Sequence, residues 1–419
     1  MSITESAVAV PRIRRGPKVV RVALAGCGVV GGELVRILAH GADEIRARHG
    51  VRFELASVLV KHPGRPRPDE LPRSVLTTDV DAFLRADAAV WVEAIGGRDP
   101  ALRIARTVLG AGKRLVTANK ALLAEHGPEL ASLARRSGAR LDFESAVAGG
   151  IPVVRALRDS LGLTGIRSIR AVLNGTTNYI LTRLAEGWRY ADALADAQAK
   201  GFAEASPARD LSGEDAADKL RILGWLAGTL AVRRRGIVPH PERLAADAAL
   251  LGGVPRLVAE VADTGDGIAA AVEPVIVAAG SELGRTRDEE NAIVIESRWN
   301  GRVRLSGPGA GGSPTASALL GDMLRSAGRA GREHAAAHPP VEDGREQRWV
   351  ISVLREPRTE VALERALQRA GIDASDVVSQ PDRRIAITRP TPWRRVDLAA
   401  RVLESAHLAP VVSRCEVRV

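Results

Sequence analysis

A short apolar run, VVRVALA at residues 19–25, ends in Gly26-Cys27-Gly28-Val29-Val30-Gly31 and passes into a segment with Leu34, Ile37 and Leu38 at helical spacing. A G-x-G-x-x-G at a strand-to-helix junction is the fingerprint of a βαβ dinucleotide-binding unit, and it constrains the fold more than any other feature of the chain. Gly26 permits the tight turn, Gly28 lets a pyrophosphate approach the backbone, and Gly31 lets helix and strand pack closely. The helix N-terminus, entered through Val29 and Val30, favours an anion. One helix is expected from about Val29 to His49, then a strand from Phe53 to Val60. An acidic residue at the tip of that strand would accept the ribose 2′-OH of NAD. Here the tip reads Val58-Leu59-Val60-Lys61-His62 and is followed by Arg65 and Arg67. Cations such as Lys61 and Arg65 suit a 2′-phosphate, so NADP is favoured, with NAD the other possibility.

Strand-like runs at 88–95, 114–117 and 140–143 alternate with helical runs at 100–109 and 120–137, which predicts a doubly wound, Rossmann-like parallel sheet. The nucleotide domain is expected over residues 18–148, after a basic tail at 1–17 broken by Pro11 and Pro17. The pattern then changes. Strand candidates at 166–173, 275–278, 292–297 and 301–306, with helices at 153–161, 178–186, 190–200 and 215–230, read as a second α/β domain over 149–329. A small, charged, Pro-containing stretch at 330–347 reads as a linker. The remainder, 348–419, orders its elements as strand, helix, strand, helix, strand, which is compatible with a small ferredoxin-like domain.

Composition narrows the function classes. The net charge is +10, but the arginines are dispersed and aromatics make up only 3% of the chain, so stacking platforms for nucleic acid are scarce and no nucleic-acid partner is expected. The two cysteines, Cys27 and Cys415, lie far apart and outside any zinc-ligand spacing. No signal peptide and no membrane-spanning apolar run are read, so a soluble, cytoplasmic protein acting on a small molecule is expected.

Three further segments carry chemistry. Lys120, in LVTANK, follows a strand at the carboxyl edge of the first sheet, where ligands of such sheets bind. Asn174-Gly175-Thr176-Thr177 is a small polar run between an apolar strand and an apolar helix; it reads as a turn and cap or as a pocket wall. Asp215 and Lys219 lie four apart on one helix face. They form either an exposed ion pair or a lysine whose protonation neighbouring carboxylates control, and periodicity does not choose.

Taken with VEAIGG (92–97), LVTANKALLA (115–124), FESAVAGGIPVVR (143–155), VLNGTTNYIL (172–181), GFAEASPARDLSGEDAADKL (201–220) and GPGAGGSPTASALLGDML (307–324), the chain resembles the homoserine dehydrogenase family over residues 19–325. The resemblance implies NAD(P)-dependent interconversion of L-aspartate 4-semialdehyde and L-homoserine. It places Lys120 beside the nicotinamide and Lys219 as the general acid/base. Glu204 would sit at the substrate ammonium, Asp210 and Asp215 in the substrate pocket, and Asn174, Gly175 and Thr176 on its wall. Glu144, Val147, Gly149 and Ile151 match a monovalent-cation site, usually sodium, built mostly from backbone carbonyls. Gly311 would return the chain, over 306–329, to the cofactor. The resemblance also implies a homodimer or homotetramer and a C-terminal ACT-like domain of the kind that can bind threonine. The loop Arg355-Glu356-Pro357-Arg358 departs there from the family's Asp and Gly around the proline. An enzyme reducing a related amino-acid aldehyde, and a non-catalytic dinucleotide sensor, are the alternative readings.

Overall fold

The computed structural model describes residues 18–161, 165–229, 231–237, 239–327 and 346–416. The expected basic tail, nearly all of the expected linker and the last residues of the expected final strand lie outside them.

The first sheet is six-stranded and entirely parallel. Its strands are β1 (Lys18–Ala25), β2 (Val51–Leu59), β3 (Leu76–Thr77), β4 (Val90–Glu93), β5 (Arg114–Thr117) and β6 (Arg140–Asp142), in the order β3-β2-β1-β4-β5-β6. Strand order reverses between β1 and β4, which opens a crevice at their carboxyl ends. Val22, Ala23, Leu24 and Ala25 have no exposed surface, as expected of a parallel strand covered on both faces. The single helix expected after the glycine motif is two, Val29–His40 and Ala42–His49, because Gly41 ends the first turn-perfect run; a Cβ there would lie 2.7 Å from the Ile37 carbonyl oxygen. The late helix Gly312–Ala327 packs on the first sheet and the helix Val29–His40. Its Ala316, Leu319, Met323 and Ala327 share a core with Val20, Val22, Leu24, Leu34 and Val35.

The second sheet holds ten strands. They include β7 (Ile166–Val172), β8 (Gly253–Asp263), β9 (Ile268–Ala278), β10 (Glu290–Ser297) and β11 (Gly301–Pro308), joined antiparallel in the order β11-β10-β7-β8-β9. The β8–β9 hairpin is its longest pairing. The sequence signals only the end of it, because the stretch is rich in Ala and interrupted by Arg256, Glu260 and Glu273, and its strand character comes from burial within the sheet.

The C-terminal unit runs β12 (Trp349–Leu354), helix Thr359–Ala370, β13 (Ala374–Ser379), β14 (Arg383–Thr388), helix Trp393–Ser405 and β15 (Val411–Cys415). Its strand order, β15-β12-β14-β13, is that of a ferredoxin-like βαββαβ unit. Strand β13 is additional to the sequence expectation; it is a mostly exposed edge strand of polar composition. β15 pairs in parallel with β9, so the two units share one continuous sheet. Arg414 on β15 is buried beside Glu260 on β8 and Glu273 on β9, and Arg243 of the helix Pro241–Leu250 donates to the carbonyls of Ser352 and Ala409.

Candidate active site

The helix Glu214–Ala227 begins at Gly213, whose φ of 76° is left-handed, and presents Asp215 and Lys219 on one face. Their side chains are only 11% and 9% exposed, so this is not a solvated ion pair. Lys219 Nζ lies 2.9 Å from Asp215 Oδ2 and donates to the Leu173 carbonyl at 2.6 Å. Lys120, at the first position of the helix Lys120–Ser137, brings its Nζ to 2.8 Å from Asp215 Oδ1 and stays 40% exposed. One carboxylate thus holds two lysines from two domains. Burial alone would raise the Asp215 carboxyl, but Lys219 and Lys120 outweigh it and hold it well below the ordinary carboxylate range. Burial likewise opposes the charge on Lys120, yet Asp215, with Asp210 and Asp218 behind it, raises that ammonium above its ordinary value.

Asn174 joins this group to the second helix. Its side-chain oxygen accepts from Thr177 N at 2.8 Å, capping the helix Gly175–Ala185, while Nδ2 donates to Asp210 Oδ1 at 2.7 Å and Asp215 Oδ2 at 3.0 Å. Gly175 is required where it stands, since a Cβ would lie 2.8 Å from the Glu289 carbonyl oxygen. Burial, and Asp215 alongside, raise the Asp210 carboxyl against the hydrogen bond from Asn174. Thr176 Oγ1 donates to the Phe202 carbonyl and so anchors the loop that carries Glu204. Glu204 is exposed, and its backbone carbonyl accepts from Gln198 Nε2 at 3.1 Å.

The three glycines of the G-x-G-x-x-G motif have different surroundings. A Cβ on Gly26 (φ 94°) would lie 2.6 Å from the Ala94 carbonyl oxygen, and one on Gly31 would overlap the Gly26 carbonyl oxygen. A Cβ on Gly28 would meet nothing within 4 Å, so the space over it is open at the start of the Val29–His40 helix. Val29 is 79% exposed beside it, a Cβ on Gly312 would lie 3.2 Å from the Val29 side chain, and Gly311 before it is left-handed (φ 110°). Lys61 and Arg65 are exposed past β2. Arg67 in the same loop donates to the carbonyls of Pro63 at 2.9 Å and Arg65 at 2.8 Å.

The loop of Glu144, Val147, Gly149 and Ile151 is buried except at Gly150. The Glu144 carboxylate is fully engaged, accepting from Val154 N and Arg155 N at 2.8 Å each. Ala148 and Gly149 both adopt left-handed backbone, with φ of 55° and 54°. Sequence reasoning passed over Glu93, which ends β4 and is fully buried within the same crevice. The usable signal was an acid closing an apolar parallel strand just ahead of Gly96-Gly97.

An open glycine-rich strand-to-helix turn on a Rossmann-like sheet and a buried lysine–carboxylate–lysine group between the two sheets are the arrangement of an NAD(P)-dependent oxidoreductase. Residues 26–144 match the homoserine dehydrogenase NAD-binding domain model, and residues 152–324 match the homoserine dehydrogenase model. The chain belongs to the homoserine dehydrogenase family. It is 39% identical to the homoserine dehydrogenase of Corynebacterium glutamicum over 348 residues, 78% of each chain. With that of Bacillus subtilis it shares 35% identity, covering 73% of this chain and 72% of the relative. The crystal structure of a homoserine dehydrogenase from Thiobacillus denitrificans superposes with a TM-score of 0.82 at 28% identity, covering 95% of this chain and 98% of that one. A hyperthermophilic archaeal homoserine dehydrogenase in complex with NADPH superposes at 0.63 and 28% identity, covering 74% and 98%. No helix among the described residues is long and apolar enough to cross a membrane.

Proposed function

We propose that Lys219, Lys120 and Asp215 carry the reversible reduction of L-aspartate 4-semialdehyde to L-homoserine. The observation behind this is the buried carboxylate bridging two lysines. A lysine ammonium has three donors. Lys219 commits two of them, to Asp215 and to the Leu173 carbonyl, which leaves one for the substrate oxygen. When bound, the reduced nicotinamide supplies the hydride. Lys120 keeps its ammonium charge and, from its exposed position, stabilises the oxyanion character that hydride addition creates. Lys219 delivers the proton, directly or through water, and Asp215 fixes both amines at one point. Asp210, with Glu204 closing from its loop, holds the substrate ammonium, while Asn174, Gly175 and Thr176 shape the wall. Lys219→Ala tests the assignment. Turnover is expected to fall by roughly 10²–10⁴-fold with NADPH affinity little changed; unchanged turnover refutes it.

The remaining assignments rest on the same reading. Gly26, Gly28, Val29, Val30, Gly31 and Gly311 receive the dinucleotide, and Lys61 and Arg65 favour NADP, supported by the absence of an acid at the tip of β2. A monovalent cation such as sodium fits the loop of Glu144, Val147, Gly149 and Ile151 through backbone carbonyls, since the Glu144 carboxylate already has its donors. The working units are 18–148, 149–329 and 348–419, the last ACT-like in element order. Pairing into a dimer or tetramer through the second domain, in the cytoplasm, completes the proposal.

A further inference from the structure

The VEAIGG segment carries a group that hydride transfer does not use. Glu93 has no exposed surface, and all its partners are neutral donors. Oε1 accepts from Ile95 N at 2.9 Å, Gly96 N at 3.3 Å and Asn119 Nδ2 at 3.4 Å; Oε2 accepts from Thr117 Oγ1 at 2.6 Å. A buried carboxylate without a cation is costly, and it is retained only where its hydrogen bonds hold something in place.

What it holds lies on both sides of the crevice. On β4's side are Gly96 and Gly97, consecutive left-handed residues with φ of 77° and 72°, where an added Cβ would meet nothing within 4 Å. Their backbone therefore faces open space. The same segment abuts the dinucleotide turn, since Gly26 packs against the Ala94 carbonyl. On β5's side is Asn119. Its Nδ2 also donates to the Gly97 carbonyl at 2.7 Å, its Oδ1 caps the Lys120–Ser137 helix through Leu122 N at 3.1 Å, and its own N–H donates to Thr117 Oγ1 at 3.0 Å. Lys120 is the next residue.

We infer that Glu93 is a positioning residue that locks the Gly96–Gly97 turn and the Asn119 cap into one unit, so that the nicotinamide half of the cofactor and Lys120 are delivered to the same point. The inference rests on Lys120 being an active-site lysine.

Glu93→Gln in the full-length chain is the test, because it keeps size and one acceptor oxygen but presents an amide to donors. Expected are a fall in kcat of about tenfold or more, weaker NADPH binding by direct titration, and a near-normal melting temperature without cofactor. In a double-variant cycle, Glu93→Gln added to Lys120→Ala costs less than about twofold further in kcat, because both changes disable one unit. Should Glu93→Gln fail to fold, Asn119→Ala carries the same expectations for kcat and NADPH binding through the other end of the chain of hydrogen bonds, with a melting temperature lowered by the lost helix cap. Normal kcat and NADPH affinity in the single variant, or a loss fully multiplicative with Lys120→Ala, overturns the inference. If Lys120→Ala itself leaves turnover intact, the reading of Lys120 fails instead.

Discussion

Gly28 and Gly31 sit three residues apart in one motif, yet a single added methyl group should separate their roles. At Gly31 the methyl collides with the Gly26 backbone, so Gly31→Ala is expected to destabilise the nucleotide domain by about 1–3 kcal/mol or more, measured by chemical denaturation. At Gly28 it meets open space, so Gly28→Ala should keep its melting temperature and lose roughly tenfold or more in NADPH affinity by titration. Equal stability losses at the two positions would contradict the division. Asp322 makes a second residue-scale prediction. Burial, then Asp142 and Glu144, push its carboxyl up to about 7 against the pull of Arg155. Between its ordinary value of 3.8 and about 7, the folded state holds a proton that the unfolded state releases, so stability falls as pH rises through that window. Asp322→Asn should flatten this slope in melting curves taken from pH 4 to 8. Asp215 behaves oppositely: its carboxyl lies below the ordinary value, so its contribution is lost only in acid beneath that value and does not shape activity near neutrality.

The segment between the Glu214–Ala227 helix and the second sheet links two elements that are distant in sequence. Arg233 and Arg235 lie over the Trp393 ring, 4.2 Å and 4.8 Å from its centre. Between and beyond them, Arg234 Nη1 donates to the Ser212 carbonyl and Ile237 N to the Leu211 carbonyl, both at 2.9 Å, on the turn that launches Asp215 and Lys219. Trp393→Leu is therefore expected to lower kcat roughly three- to tenfold with NADPH affinity unchanged, by steady-state kinetics and titration. None of this linkage is visible in the sequence. The first sheet was legible because β1, β2, β4 and β5 are short apolar runs closed by glycine or polar residues and covered on both faces. The β8–β9 hairpin was not, since Ala, Arg256, Glu260 and Glu273 acquire strand geometry and burial only through their neighbours. The candidate site divides in the same way. The Asp215–Lys219 pair follows from helical spacing, whereas Lys120 reaches it by packing of the Lys120–Ser137 helix against the Glu214–Ala227 helix. Burial is what separates this pair from a surface ion pair, and helical spacing does not reveal it.

At the scale of the molecule, the C-terminal unit is not a separate bead. β15 extends the second sheet from β9, and Arg414 is wholly buried among Glu260, Glu273 and Glu416, which raise its guanidinium further above its ordinary value against the effect of burial. Replacing Arg414 by Met would remove the cation shared by Glu260, Glu273 and Glu416 and leave them to Arg170 and Arg233, at a cost of up to about 3–5 kcal/mol measured by denaturant unfolding. A variant as stable as the wild type would show that the two units do not depend on this contact. The same sheet carries β7, which leads directly into Asn174, so the C-terminal unit and the catalytic wall are parts of one framework. The central claim is that this framework brings Lys120, Asp215 and Lys219 to an NADP-binding crevice in order to reduce an amino-acid aldehyde. Its most direct test is NADPH oxidation by the purified full-length protein supplied with L-aspartate 4-semialdehyde, with the product identified by chromatography. Saturable oxidation forming one L-homoserine per NADPH is the predicted result; intact NADPH binding with no semialdehyde-dependent turnover would contradict the account.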